Sequence, residues 1–206
     1  MIFSFGLLAT GLSLVFVDQD LALWFNEVHR ESIRLAARSI TNIALGEYWF
    51  GLAILIYVWS RWVRKNDNLR SWAVHLFAGL LGSGIILQIL KWSFGRQRPH
   101  VGEAGDHLVF HPFQYHWHYL SMPSGHTQVL FSVATALVLL WPGGRWIFFG
   151  LAAALSFTRV MILQHYLSDV IAGAMVGFFG TLWVYAWLEK KVPKPRPLIG
   201  GSPKNR

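Results

Sequence analysis

A chain of 206 residues that is 54% hydrophobic and only 14% charged, with mean hydropathy +0.40, is poor in charge for a soluble domain, where about 25% is usual. The net charge of +8 does not mark a nucleic-acid binder, because the basic residues sit between apolar blocks and form no face interleaved with stacking aromatics. With no cysteine, disulfide and thiolate chemistry are excluded.

A helix needs roughly 20 apolar residues to cross a bilayer. Six blocks approach that length: 2–17, 48–63, 71–90, 127–141, 146–163 and 167–188. They predict an all-α fold, a six-span transmembrane bundle. The first block lacks the basic stretch of a signal peptide, so it is read as retained. Between the first two blocks, Leu21, Trp24, Phe25, Val28, Leu35, Ala36, Ile40 and Ile43 recur at helical spacing, with Asp20, Glu27, Arg30, Glu31, Arg34 and Arg38 largely on other faces. This pattern predicts an amphipathic helix, lying in the headgroup layer or packed on the bundle. Residues 1–190 are expected to form one domain. Residues 191–206, rich in Lys and Pro, are expected to be a disordered cytoplasmic tail.

Six spans place both termini on one side, and positive charge chooses the side. With the N-terminus inside, the inner segments hold Arg61, Arg64, Lys65, Arg70, Arg145, Lys190, Lys191, Lys194, Arg196, Lys204 and Arg206, which is most of the 18 basic residues. Both termini are therefore expected in the cytoplasm. Three polar clusters then fall at the outer ends of spans.

The first cluster runs from Lys91 through Arg96 to Arg98-Pro99. Three cations leaving the membrane can neutralise a dianion, and arginine's planar fork matches phosphate oxygens. The other reading is a set of snorkelling anchors. The second is Pro123-Ser124-Gly125-His126, a turn into a helix start, where free backbone N–H groups and the helix dipole favour an anion. His126 can give or take a proton near neutral pH; the plainer reading is a helix cap. The third is Thr158-Arg159, His165 and Asp169. His165 and Asp169 are four apart and share a helix face, so the carboxylate can orient the ring as a nucleophile. The alternative is a polar network joining two helices, but ionisable residues within a membrane are expensive and favour function. Together the clusters supply what phosphoryl transfer needs: positioning, charge neutralisation, a nucleophile and an acid.

These residues resemble the three motifs of the type 2 phosphatidic acid phosphatase (PAP2) superfamily. They are Lys-x6-Arg-Pro, here Lys91 to Arg98-Pro99; Pro-Ser-Gly-His, here Pro123 to His126; and Ser-Arg-x5-His-x3-Asp, here Thr158-Arg159 to His165 to Asp169, with threonine in place of the usual serine. The resemblance implies that His165 attacks phosphorus to form a phosphohistidine and that Asp169 orients it. It further implies that Lys91, Arg98, Ser124, Gly125 and Arg159 hold the phosphate and that His126 protonates the leaving oxygen. No metal and no cofactor is implied. The vanadium haloperoxidases share this site but are soluble, and the apolar blocks count against them. The expected partners are the bilayer and a phosphorylated lipid: undecaprenyl diphosphate, phosphatidylglycerol phosphate or phosphatidic acid, with lipid A as the rival within the superfamily. The expected place is a bacterial inner membrane, with the site facing outward.

A phosphate-binding transporter or scaffold is the alternative of a different class. Such a transporter would show repeats and broken helices at mid-membrane, whereas these polar residues gather at one end. The loop 100–122 carries His100, His107, His111, His116 and His118 among Phe110, Phe113, Tyr115, Trp117 and Tyr119. It reads as an interfacial rim. A metal site from His111, His116 and His118 is conceivable, but no nearby Cys or carboxylate strengthens it.

Overall fold

Each of the six apolar blocks becomes helix in the computed structural model, which describes residues 1–28, 35, 37, 41–101 and 106–198. The described helices are α1 (Ile2–Phe16), α2 (Asp18–Glu27), α3 (Gly46–Trp62), α4 (Asp67–Phe94), α5 (Gly125–Leu140), α6 (Arg145–Met161) and α7 (Leu167–Leu188). Among the described residues there is no strand, only an isolated antiparallel bridge between Arg96 and Phe110.

Local chemistry sets the ends of these helices. The Asn66 side chain accepts from Leu69 N at 3.1 Å and caps α4. Gly95, at φ +60, ends α4 in the left-handed region. A Cβ there would lie 1.7 Å from the carbonyl oxygen of His111, so only glycine fits. Asp169 accepts from Tyr166 N at 2.9 Å and caps the start of α7.

α4 and α5 form the centre of the bundle. α3 packs on α4, α6 on α5, and α7 on both α4 and α5, while α1 lies along α7. Trp72, Leu76, Leu80, Val129, Val133 and Ala136 fill the core between α4 and α5. Deeper polar groups are paired internally, as a membrane interior requires: Gln128 donates to Ser83 Oγ at 2.6 Å, and Thr181 to Ser132 Oγ at 2.9 Å.

The six-span expectation is met only in part. α4 has 28 residues and α7 has 22, and both are long and apolar enough to cross a membrane. α1 and α2 add a third crossing only if the pair, bent by 57°, counts as one broken span. α3 and α6 have 17 residues and α5 has 16. At 1.5 Å per residue these reach about 25 Å, short of the roughly 30 Å hydrocarbon layer. The shortness lies in the sequence itself, since the apolar blocks 48–63 and 127–141 are already below the spanning length.

The amphipathic segment is seen only in its first part. α2 follows directly on α1, Trp24 is exposed, and Phe25 packs against Phe157 with ring centroids 5.9 Å apart. Residues 29–34, 36 and 38–40, including Arg30, Arg34 and Arg38, lie outside the described residues. Residues 191–198 of the basic tail lie against the bundle. Asn68 donates to Arg196 O at 2.9 Å and accepts from Arg196 N at 2.5 Å, Leu198 N donates to Leu140 O at 2.8 Å, and Ser71 Oγ donates to Pro193 O. The reason is local: prolines at 193, 195 and 197 keep this stretch extended, so its free backbone groups meet the ends of α4 and α5. Residues 199–206 lie outside the described residues.

Candidate active site

The C-terminal ends of α4 and α6 meet the N-terminal ends of α5 and α7. This places all three sequence clusters at one end of the bundle, and Ser124 N donates to Asp169 O at 2.9 Å across the α5–α7 junction. The approach is close enough that a Cβ on Gly173 would stand 2.5 Å from the carbonyl oxygen of Ser124.

His165 occupies the turn between α6 and α7 and is 2% exposed. Its two ring nitrogens face different neighbours. Nε2 lies 3.4 Å from an Arg98 guanidinium nitrogen. Nδ1 lies 3.4 Å from Ser121 Oγ and 3.7 Å from Asp169 Oδ2. The last distance is an ion-pair contact, longer than a hydrogen bond. Ser121 Oγ donates to the same carboxylate oxygen at 2.6 Å. The hydroxyl thus stands between the two residues whose direct pairing the sequence suggests. Burial holds the His165 imidazole well below the usual histidine range, with the charges of Arg98 and Lys91 acting in the same direction, so the ring is neutral and Nε2 presents its lone pair toward Arg98.

Lys91 is buried and Arg98 half-buried near this ring, and Arg159 is buried at the end of α6. Lys91 Nζ donates to Leu120 O at 2.5 Å. Arg98 donates to Leu120 O at 3.3 Å, Trp117 O at 3.0 Å and Gln164 O at 3.1 Å, and its guanidinium stacks 4.6 Å from the Trp117 ring centroid. Burial pulls Arg98 down to about 10, which leaves it protonated at neutral pH. Arg159 donates to Thr41 Oγ1 at 3.4 Å. His126, in the first turn of α5, lies in the field of Arg159, Arg98 and Lys91. Ser124 is buried at the N-cap, and the first-turn amides that include Gly125 have no acceptor within the helix. The eight residues singled out by sequence therefore converge.

Arg96 does not join Lys91, Arg98 and Arg159, as the sequence suggested it would. It is fully buried and turned away from them. One guanidinium nitrogen donates at 2.6 Å to Asp169 Oδ1 and to Ser168 Oγ, and the other donates to Asp18 Oδ2 at 2.9 Å and to His107 O at 2.8 Å. Its plane lies 4.2 Å from the Tyr166 ring centroid. Burial opposes its charge, but the carboxylates of Asp169 and Asp18 outweigh that and raise its pKa. Spacing placed Arg96 near the cluster but could not say which way the side chain points. Asp18, Ser121 and Ser168 had no sequence signal at all.

The loop after α4 is clamped to this site through its main chain. Arg98 N donates to His118 O at 2.9 Å, Ser121 N to Arg96 O at 3.0 Å, and His111 N to Gly95 O at 2.8 Å. Among the described residues no group of three His, Asp or Glu side chains gathers as a metal site, and Glu103 lies outside them.

The PAP2 superfamily model matches residues 72–193, and the chain belongs to that superfamily. A lipid A 1-phosphatase of Rhizobium etli is 41% identical over 136 residues, covering 62% of this chain and 58% of the relative. The match thus spans little more than half of that protein's length. The fold is shared with LpxE of Aquifex aeolicus, at TM-score 0.62 and 19% identity over 82% of this chain and 95% of the other. It is also shared with a PAP2-type phosphatidylglycerolphosphate phosphatase of Bacillus subtilis, at TM-score 0.64 and 19% identity over 92% and 94% of the two chains.

Proposed function

We propose that the chain is an integral membrane phosphatase that removes phosphate from a lipid headgroup through a phosphohistidine on His165. The observation that carries this reading is the neutral, buried His165, with Nδ1 toward Asp169 and Ser121 and Nε2 toward a ring of cations. Nε2 attacks phosphorus, a P–N bond forms, and the P–O bond to the lipid breaks. Lys91, Arg98, Arg159, Ser124 and the Gly125 amide hold the phosphoryl oxygens, where donors matter most as charge builds. An arriving phosphate dianion offsets the cationic field around His126. That ring can then hold the proton it gives to the leaving oxygen. Water next attacks phosphorus with His126 as base, the P–N bond breaks, and inorganic phosphate leaves.

The protein as proposed spans the membrane six times, with both termini in the cytoplasm and the site outside. The charge distribution supports this, and short α3, α5 and α6 call for local bilayer thinning at the site. The substrate is undecaprenyl diphosphate, phosphatidylglycerol phosphate or phosphatidic acid. A second reading, a lipid A phosphatase, is supported by the 41% identity to the Rhizobium protein.

The test is phosphate release from a panel of these four lipids in detergent, with EDTA present. Activity is expected in EDTA because the cations already neutralise the phosphate, and vanadate should inhibit competitively as a five-coordinate mimic. His165→Ala should abolish turnover, while His126→Ala should still form phosphoenzyme slowly from an ester with a good leaving group. Full activity in His165→Ala, or loss in EDTA restored by added magnesium, would overturn this mechanism.

A further inference from the structure

Asp18 stands at the 57° bend between α1 and α2, far from every sequence motif, yet it is 1% exposed. Four donors converge on its carboxylate. Ser13 Oγ and Ser168 N reach Oδ1 at 3.0 and 2.9 Å, while Arg96 at 2.9 Å and Ser168 Oγ reach Oδ2. Arg96 passes from this carboxylate to Asp169 Oδ1 at 2.6 Å, and Asp169 Oδ2 faces His165. Both ion pairs have side chains 0% exposed. A chain of charges thus runs from the first helical hairpin to the ring proposed as nucleophile.

We infer that Asp18 is a positioning residue for phosphoryl transfer: it shares the charge of Arg96, so that Asp169 keeps a net negative field on His165. The inference rests on the assignment of His165 as nucleophile. Two carboxylates around one guanidinium carry a net charge of about −1, whereas Asp169 with Arg96 alone would carry none. When Nε2 bonds to phosphorus, positive charge develops on the ring and is felt at Nδ1–H. A negative cluster beside Nδ1 lowers the energy of that state more than that of the neutral ground state, so it accelerates the step. Asp18 also fixes geometry. By accepting from Ser168 N it holds the first turn of α7, the turn that carries Asp169 three residues after Tyr166. Asp18 touches neither His165 nor the phosphate-facing cations, so its removal should leave substrate binding in place.

The experiment compares Asp18→Asn with the parent enzyme in detergent on a soluble phosphate ester. It reads kcat, KM, affinity for inorganic phosphate, single-turnover phosphoenzyme formation, and melting temperature. Asp18→Asn keeps the shape and removes the charge. Phosphoenzyme formation and kcat should fall about 10- to 100-fold, while KM and phosphate affinity stay within about twofold. A kcat within about twofold of the parent would overturn the inference. So would parallel loss of kcat and phosphate affinity that follows the folded fraction, since that is what a purely structural cap would give. If Asp18→Asn does not fold, Asp18→Ser decides. It also removes the charge while leaving an oxygen that can accept a hydrogen bond, so kcat should fall with KM unchanged, and a parental kcat overturns the inference. His165→Ala runs alongside. If it stays active, the nucleophile assignment fails. If it is dead while Asp18→Asn is fully active, only the role of Asp18 fails.

Discussion

Ser121 decides how Asp169 and His165 communicate. Its hydroxyl proton is committed to Asp169 Oδ2 at 2.6 Å, and its oxygen faces His165 Nδ1 at 3.4 Å. Asp169 cannot close the 3.7 Å gap by itself, because Arg96 and Tyr166 N hold it in place. A hydrogen bond to a charged group contributes about 1.5–3 kcal/mol. Ser121→Ala should therefore lower kcat about tenfold or more with little change in KM, read in steady-state kinetics; an unchanged kcat would show that the serine only fills space. The eight motif residues were legible because family spacing names them wherever the chain folds. Ser121 was not, since one serine in a loop fits no spacing rule. Asp18 was hidden for another reason. It meets Arg96 across 78 residues of sequence, and nothing local marks an aspartate at the end of an apolar helix as buried rather than solvated.

At the scale of elements, helix positions were legible because apolar blocks have few alternatives to helix in lipid. The loop after α4 was only half legible. Its aromatic and histidine content pointed to an interfacial rim, but its hold on the site runs through backbone atoms that every residue has. Gly95 is the pivot. Its left-handed conformation turns the chain off α4 so that Arg96 faces Asp169 and Arg98 faces His165. Gly95→Ala puts a methyl 1.7 Å from the His111 carbonyl oxygen, so the loop must move. Strain of this kind costs on the order of 1–3 kcal/mol. The expected outcome is a lower melting temperature together with a raised KM, because Arg98 moves with the backbone. A variant that melts lower but keeps its KM would show that the loop adjusts without carrying the cation.

For the whole molecule, the structure sharpens the charge argument for orientation. At the site end, Lys91, Arg96 and Arg159 are buried and Arg98 is half-buried, so these cations are not free loop charge. At the opposite end, Arg61, Arg64, Lys65, Arg145, Lys190, Lys191, Lys194 and Arg196 are exposed. Free positive charge is what retains a segment on the cytoplasmic side, so this distribution supports the proposed orientation, with the tail end inside and the site outside. The polarity of the helices agrees, since α4 and α7 run between these two ends and both are long enough to cross. The chain has no cysteine, so single cysteines report each face without background. Tyr115 is 80% exposed on the loop beside the site, and Lys190 is exposed just beyond α7. In intact cells an impermeant thiol reagent should label Tyr115→Cys, and it should label Lys190→Cys only after the membrane is permeabilised. The reverse pattern would place the site in the cytoplasm and require a substrate presented from the inner leaflet.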